Sequence, residues 1–77
     1  MRFTIQVLNE NGKPVAGKRV TVIFTSFLRG SLDDYTNDDG LAVFDYEVNP
    51  GEIGIYVNGD KQATDYAEDG EVFTVNI

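Results

Sequence analysis

The sequence contains no cysteine and no histidine among its 77 residues. The chain therefore has no disulfide, no thiolate nucleophile and no cysteine-ligated zinc site, and its redox compartment cannot be read from cysteine pairing. Without histidine it lacks the commonest general base near neutral pH and the commonest transition-metal ligand. Serine–histidine chemistry is excluded, and we expect a protein that is not an enzyme and uses no cofactor.

Basic residues and long apolar runs are also scarce. Six lysines and arginines stand against 13 aspartates and glutamates, for a net charge of −7. This sign of charge repels phosphate, so no nucleic-acid partner is expected. Residues 1–7 alternate instead of forming the apolar run of a signal peptide, and no stretch approaches the roughly 20 apolar residues of a membrane span. We therefore expect no membrane insertion and leave the compartment open, with an extracellular or cell-surface location if the chain belongs to a longer protein.

The apolar residues that are present alternate with polar ones over short segments. Phe3, Ile5 and Val7 share one side of the first segment, which is typical of a strand with one wet face. Similar runs recur near residues 20–24, 41–48, 53–57, 60–66 and 72–77, separated by Gly, Pro, Asn and Asp. Residues 26–35 lack a clear pattern and are interpreted as a long loop or a short edge strand. The pattern predicts one all-β sandwich domain over residues 1–77, with the following core: Phe3, Ile5, Val7, Val20, Val22, Phe24, Phe44, Ile53, Ile55, Val57, Phe73, Val75 and Ile77.

Three stretches resemble a known family: NGKPVAGKRVTV at 11–22, TNDDGLAVF at 36–44 and GEIGIYV at 51–57. Together they are similar to the prealbumin-like, carboxypeptidase-regulatory-like group of Ig-type domains. The resemblance implies a seven-strand Greek-key sandwich with Ala42 and Phe44 facing inward. It also implies an accessory domain of a larger bacterial surface, secreted or secretion-apparatus protein, which acts as a spacer, support or adhesive module. Such motifs specify a topology and no catalytic residue.

Three apolar side chains fall on the outward side of their strands in this pattern. Ile23, Leu41 and Val43 point away from the core if Val22, Ala42 and their neighbours point inward. They predict an apolar interaction surface for another protein or a neighbouring domain. The alternative is that the segment 26–35 folds over them.

Two further sets of residues favour a ligand-binding module. Tyr35, Tyr56 and Tyr66, with Tyr46 placed inward, could offer aromatic faces to a carbohydrate, against the alternative of ordinary strand tyrosines. Asp33, Asp34, Asp38 and Asp39 could supply oxygen ligands to Ca²⁺, against the alternative of a turn and a solvated edge.

A third and remoter alternative is a hydrolase fragment. Pairs of carboxylates such as Asp65 with Glu68, or Glu68 with Glu71, resemble the paired acids of glycosidases, but a chain this small has little room for a substrate groove. The sequence therefore predicts a non-catalytic structural or protein-interaction module, with a carbohydrate-binding or Ca²⁺-binding adhesive module as the alternative.

Overall fold

Seven strands make up the fold in the computed structural model, which describes residues 1–26 and 30–77. The strands are β1 (Arg2–Leu8), β2 (Arg19–Phe24), β3 (Ser31–Tyr35), β4 (Leu41–Asp45), β5 (Gly51–Val57), β6 (Asp60–Ala67) and β7 (Val72–Asn76). No helix in the described ranges has the length and apolar character needed to cross a bilayer.

The strands form two sheets. One has three strands in the order β4-β1-β7, with β1 antiparallel to β4 and parallel to β7. The other has four antiparallel strands in the order β3-β2-β5-β6. The prediction of an all-β protein with two packed layers is confirmed.

The core lies between the sheets and follows the period-two pattern of the sequence. Every predicted core residue except Ile77 is buried, and Ala42 and Ala67 join them. Phe3 and Phe44 are directly opposite on β1 and β4, and their rings stack with centroids 5.3 Å apart. Ile77 is 40% exposed because it follows the end of an edge strand, so its placement in the core was wrong.

One predicted strand differs from the structure, and in a second segment the structure has the edge strand that was one of the two alternatives. The fourth strand ends at Asp45 and does not continue to Val48, and Tyr46, predicted to face inward, is 39% exposed although its ring centroid lies 6.4 Å from that of Phe44. In the segment 26–35, residues 31–35 form the edge strand β3, while residues 27–29 lie outside the described ranges.

Two turns depend on backbone conformations that favour glycine. Asn58 and Gly59 have φ of 49° and 87°, the signs that a type I′ hairpin turn requires between β5 and β6. Gly40 has φ of 74°, and its carbonyl oxygen accepts a hydrogen bond from the Val7 amide at 2.7 Å, which brings the turn before β4 against β1. These turns fix the registers that place the surface residues described next.

Candidate interaction surface

The three residues predicted to form one apolar patch lie on different sheets. Ile23 is on β2 of the four-stranded sheet, whereas Leu41 and Val43 are on β4 of the three-stranded sheet. All three point outward as expected, but the outer faces of two packed sheets look in opposite directions. Alternation in the sequence reports the side of a strand and not the sheet to which the strand belongs. The prediction of a single patch was therefore wrong.

Leu41 and Val43 belong to an outer face with no charged side chain in its middle rows. In the register of the three-stranded sheet, Thr4 stands between Val43 and Val72, and Gln6 stands between Leu41 and Thr74. We call this surface the uncharged face; its members are Thr4, Gln6, Leu8, Leu41, Val43, Val72, Thr74 and Asn76.

Side-chain hydrogen bonds join three polar members of this face to their neighbours: Gln6, Thr74 and Asn76. The Thr74 hydroxyl lies 3.0 Å from the Gln6 amide oxygen, across β7 and β1. The Asn76 amide nitrogen donates to the backbone oxygen of Asn9 at 3.3 Å. Arg2 and Asp45, which are paired at one end of the face, are the charged residues of these strands. The face thus has a charged rim at one end and a neutral middle.

Val72 is the residue of this face that sequence reasoning missed. It is 60% exposed, the second most exposed of the large apolar side chains in the described residues. The sequence did contain a signal that Val72 faces outward, because it alternates with the predicted core residues Phe73 and Val75. Its position beside Thr4 follows only from the parallel pairing of β1 and β7, which joins the two ends of the sequence.

The described part of the segment 26–35 does not fold over Leu41 and Val43, which was the alternative to an exposed patch. The amide of Phe24 donates to the Gly30 oxygen at 3.2 Å, and β3 then pairs with β2. Residues 30–35 therefore extend the four-stranded sheet sideways. They leave the outward side of β4 uncovered.

The predicted tyrosines share the other outer face. Tyr35, Tyr56 and Tyr66 are paired with Arg19, Thr21 and Glu52, all on the outward side of the four-stranded sheet. They lie on three different strands, and the ring contacts within the described residues join Phe3 to Phe44 and Phe44 to Tyr46. The three tyrosines therefore do not form one stack.

Tyr56 has a specific place on that face. Its ring lies over Gly54, with Cε1 at 3.0 Å from the position that a Cβ on residue 54 would take. Ile23, which is 39% exposed, faces Gly54 from the neighbouring strand. The ring, Gly54 and Ile23 form a small apolar area among polar neighbours.

The four aspartates predicted to bind Ca²⁺ are not brought together. Asp33 and Asp34 are consecutive on β3, so their side chains leave opposite sides of the sheet. Asp33 accepts a hydrogen bond from the Thr21 hydroxyl, whereas Asp34 accepts one from the Tyr35 amide at 2.8 Å. Asp38 and Asp39 are exposed in the turn before β4. Across residues 1–26 and 30–77, no three acidic side chains are grouped so that they could hold a metal ion.

The carboxylates of the hydrolase alternative surround the last turn. Asp65, Glu68 and Glu71 are all exposed, and the Asp65 carboxylate accepts a hydrogen bond from the Tyr66 amide at 2.8 Å. In the part of the chain that the structure describes, the surface has no cavity beside them or elsewhere.

Comparison with solved structures finds a similar fold in the Bacillus anthracis TIE protein. The match covers 99% of this chain with a TM-score of 0.66 and 15% sequence identity. It covers 15% of that chain, so the domain spans a small part of the length of the protein it resembles. At this identity the likeness shows the fold alone. No family model and no curated protein matches the sequence.

Proposed function

We propose that this domain is a non-catalytic structural and protein-interaction module, an accessory domain of a larger bacterial surface, secreted or secretion-apparatus protein. The observation that carries the proposal is the uncharged face of the three-stranded sheet. The strand order of the domain, with the sheet β4-β1-β7 packed on the sheet β3-β2-β5-β6, also supports an assignment to the Ig-like, prealbumin-like group with Greek-key connections.

The composition of the uncharged face supports a protein partner or a neighbouring domain. Charged residues make up 25% of the sequence, and on this outer face they are confined to the Arg2–Asp45 pair at one end, so the eight members beyond that pair form an uncharged interior. Depletion of charge is the compositional sign of the centre of a protein interface. Val72, Val43 and Leu41 supply the apolar area, and Thr4 and Gln6 supply polar groups between them.

The similarity to part of a longer chain supports the accessory role. A domain of this fold occupies 15% of the length of the Bacillus anthracis TIE protein. A sandwich of this size needs all of its core for its own stability. Its contribution to a larger protein therefore comes from its surfaces. We infer that it holds and presents those surfaces.

The other sheet favours a second candidate, an adhesive carbohydrate-binding module. Sugars stack on aromatic faces that carry a polar rim. The Tyr56 ring lies over Gly54 with Ile23 beside it, and Tyr66 is exposed on the next strand. This area is smaller than the uncharged face and is flanked by the charged residues Glu52 and Lys61.

Site-specific photo-crosslinking in the whole protein that carries the domain tests the proposal. A photoreactive residue at Val43 is compared with one at Ile23, a matched control on the opposite outer face. We expect protein adducts from position 43 and none from position 23. Adducts from position 23 alone would contradict the assignment of the uncharged face. Binding of oligosaccharides that Tyr56→Ala abolishes, with no adduct from either position, would favour the second candidate.

A further inference from the structure

We propose that the outer edge of β7 accepts an extended segment of a partner protein as a further strand of the three-stranded sheet, and that this segment alternates apolar with basic residues. The inference rests on the proposed function, because it takes the partner to be a protein. It adds the chemistry of that partner and the way in which it binds.

The backbone of β7 has a row of hydrogen-bonding groups directed away from the sheet. Within the described ranges, β1 is the one strand neighbour of β7. The Glu71 oxygen accepts from the Thr4 amide at 2.9 Å, and the Ile77 amide donates to the Leu8 oxygen at 2.8 Å. In a parallel pair, alternate residues direct both backbone groups to the same side.

The odd-numbered residues of this segment therefore face β1, and the even-numbered ones face outward. The outward N–H and C=O groups belong to Val72, Thr74 and Asn76. We call this row the open edge. It has the spacing that an added strand needs.

The other sheet edges carry features that oppose strand addition, and β7 does not. Charged side chains and bulges are common means of protecting an edge. The edge strand β6 carries Asp60, Lys61 and Asp65, and its pairing with β5 has a bulge between Ile55 and Tyr56. The edge strand β3 carries two aspartates, and β4, which carries Asp45, lies beside β3. Residues 72–76 have no charge, no proline, no glycine and no bulge.

The inner side of the open edge is where the core is least closed. Phe73 and Val75 are 8% and 6% exposed, more than any other core residue. Ile77, on the same side, is partly exposed as well. An added strand would cover all three with its own inward side chains, so these side chains should be apolar. This accounts for the apolar half of the alternation.

The charge around β7 favours basic residues at the outward positions of the partner segment. It also argues against a second copy of this chain as the partner. Glu68, Asp69 and Glu71 are exposed in the turn just before β7, and Arg2 is the basic residue near them. Two copies would each bring a net charge of −7 to the contact. A segment with lysine or arginine at its outward positions is attracted instead.

The test is a titration of the folded domain with a peptide of about seven alternating valine and lysine residues, the ordinary length of a strand. Amide hydrogen exchange and peptide affinity are measured together. We expect the amides of Val72, Thr74 and Asn76 to become protected on binding, and the affinity to fall with added salt. The same peptide with glutamate in place of lysine should not bind.

Two variants isolate the backbone donor. Thr74→Pro removes an N–H from the open edge, and we expect it to weaken peptide binding about ten-fold or more. Thr74→Val is the matched control, which loses the hydroxyl and keeps the amide, and should bind as the wild type does. If Thr74→Pro does not fold, Val72→Pro removes a donor at the first residue of the strand, where proline is tolerated.

Several results would overturn the inference. These are protection of amides outside β7, equal binding of the glutamate peptide, unchanged binding by the folded proline variant, or protection of the open edge by self-association without peptide. A crosslink from position 43 to a protein, combined with any of these results, would leave the proposed function standing and remove only the strand-addition mode.

Discussion

Val43 and Val72 lie in one row on the outside of the three-stranded sheet, on either side of Thr4. Each is the Cα partner of Thr4, one through an antiparallel pair and the other through a parallel pair. Residues from the middle and the end of the sequence thus meet on the first strand. This row is the part of the uncharged face nearest the Arg2–Asp45 pair, and it reaches the open edge through Val72.

The close approach of the turn before β4 to β1 makes Gly40 difficult to replace. A Cβ on Gly40 would lie 2.6 Å from the Val7 oxygen and 3.1 Å from the Val15 nitrogen, and both are backbone atoms. Gly40→Ala should lower the free energy of unfolding by roughly 2–5 kcal/mol, from left-handed backbone strain and overpacking together.

Gly70→Ala is the matched control for this prediction. Gly70 also has positive φ, at 84°, but a Cβ there meets nothing within 4 Å. We expect a cost of about 1–2 kcal/mol from the backbone alone. Equal costs for the two variants in urea unfolding would show that the approach of Gly40 to Val7 does not matter.

Thr36 joins the connector after β1 to the segment before β4. It is buried, at 5% exposure; its hydroxyl donates to the Val15 oxygen at 2.6 Å and accepts from the Lys18 amide at 2.9 Å. Thr36→Val should cost about 1–3 kcal/mol, because the part-buried Val15 oxygen and Lys18 amide lose their partner. Thr36→Ser keeps the oxygen and should cost less in the same thermal unfolding experiment. A serine variant less stable than the valine variant would contradict this role.

The ring of Tyr56 over Gly54 predicts a coupling between these two residues. In Gly54→Ala the added methyl group displaces the Tyr56 ring, which lowers the stability of the folded state. Alanine also restricts the unfolded chain, which raises the free energy of unfolding. The two effects offset each other, so the free energy of unfolding should change by no more than about 1 kcal/mol. Nuclear Overhauser contacts between the ring and residue 54 should weaken. In a Tyr56→Thr background the same alanine should be more favourable. The absence of any difference between the two backgrounds would refute the contact.

Calcium should leave the melting temperature unchanged. Asp33 and Asp34 face opposite sides of β3, and Asp38 and Asp39 are in the exposed turn that follows. No oxygen cage of the kind that Ca²⁺ requires is assembled from them. Scanning calorimetry with excess Ca²⁺, with Mg²⁺ as the control for ionic strength, checks this. A rise specific to Ca²⁺ would mean that these carboxylates can rearrange around the ion.

The sequence predicted which residues are buried better than it predicted which residues share an outer surface. Period-two alternation was enough to identify the buried residues from Phe3 to Val75, because burial depends on the side of a strand. It could not place Ile23 and Val43 on different sheets, because sheet membership depends on pairing between distant segments. It missed the end of β4 at Asp45, since Tyr46 continues the apolar pattern after the strand has ended.

The most direct test of the account is a two-dimensional amide spectrum of the domain recorded with Ca²⁺, with a pool of oligosaccharides and with the valine–lysine peptide in turn. We predict that only the peptide moves signals, and that those of Val72, Thr74 and Asn76 move most, with Thr4 and Gln6 following. Shifts around Tyr56 and Tyr66 with oligosaccharides, and none with the peptide, would contradict the account and assign the binding face to the four-stranded sheet.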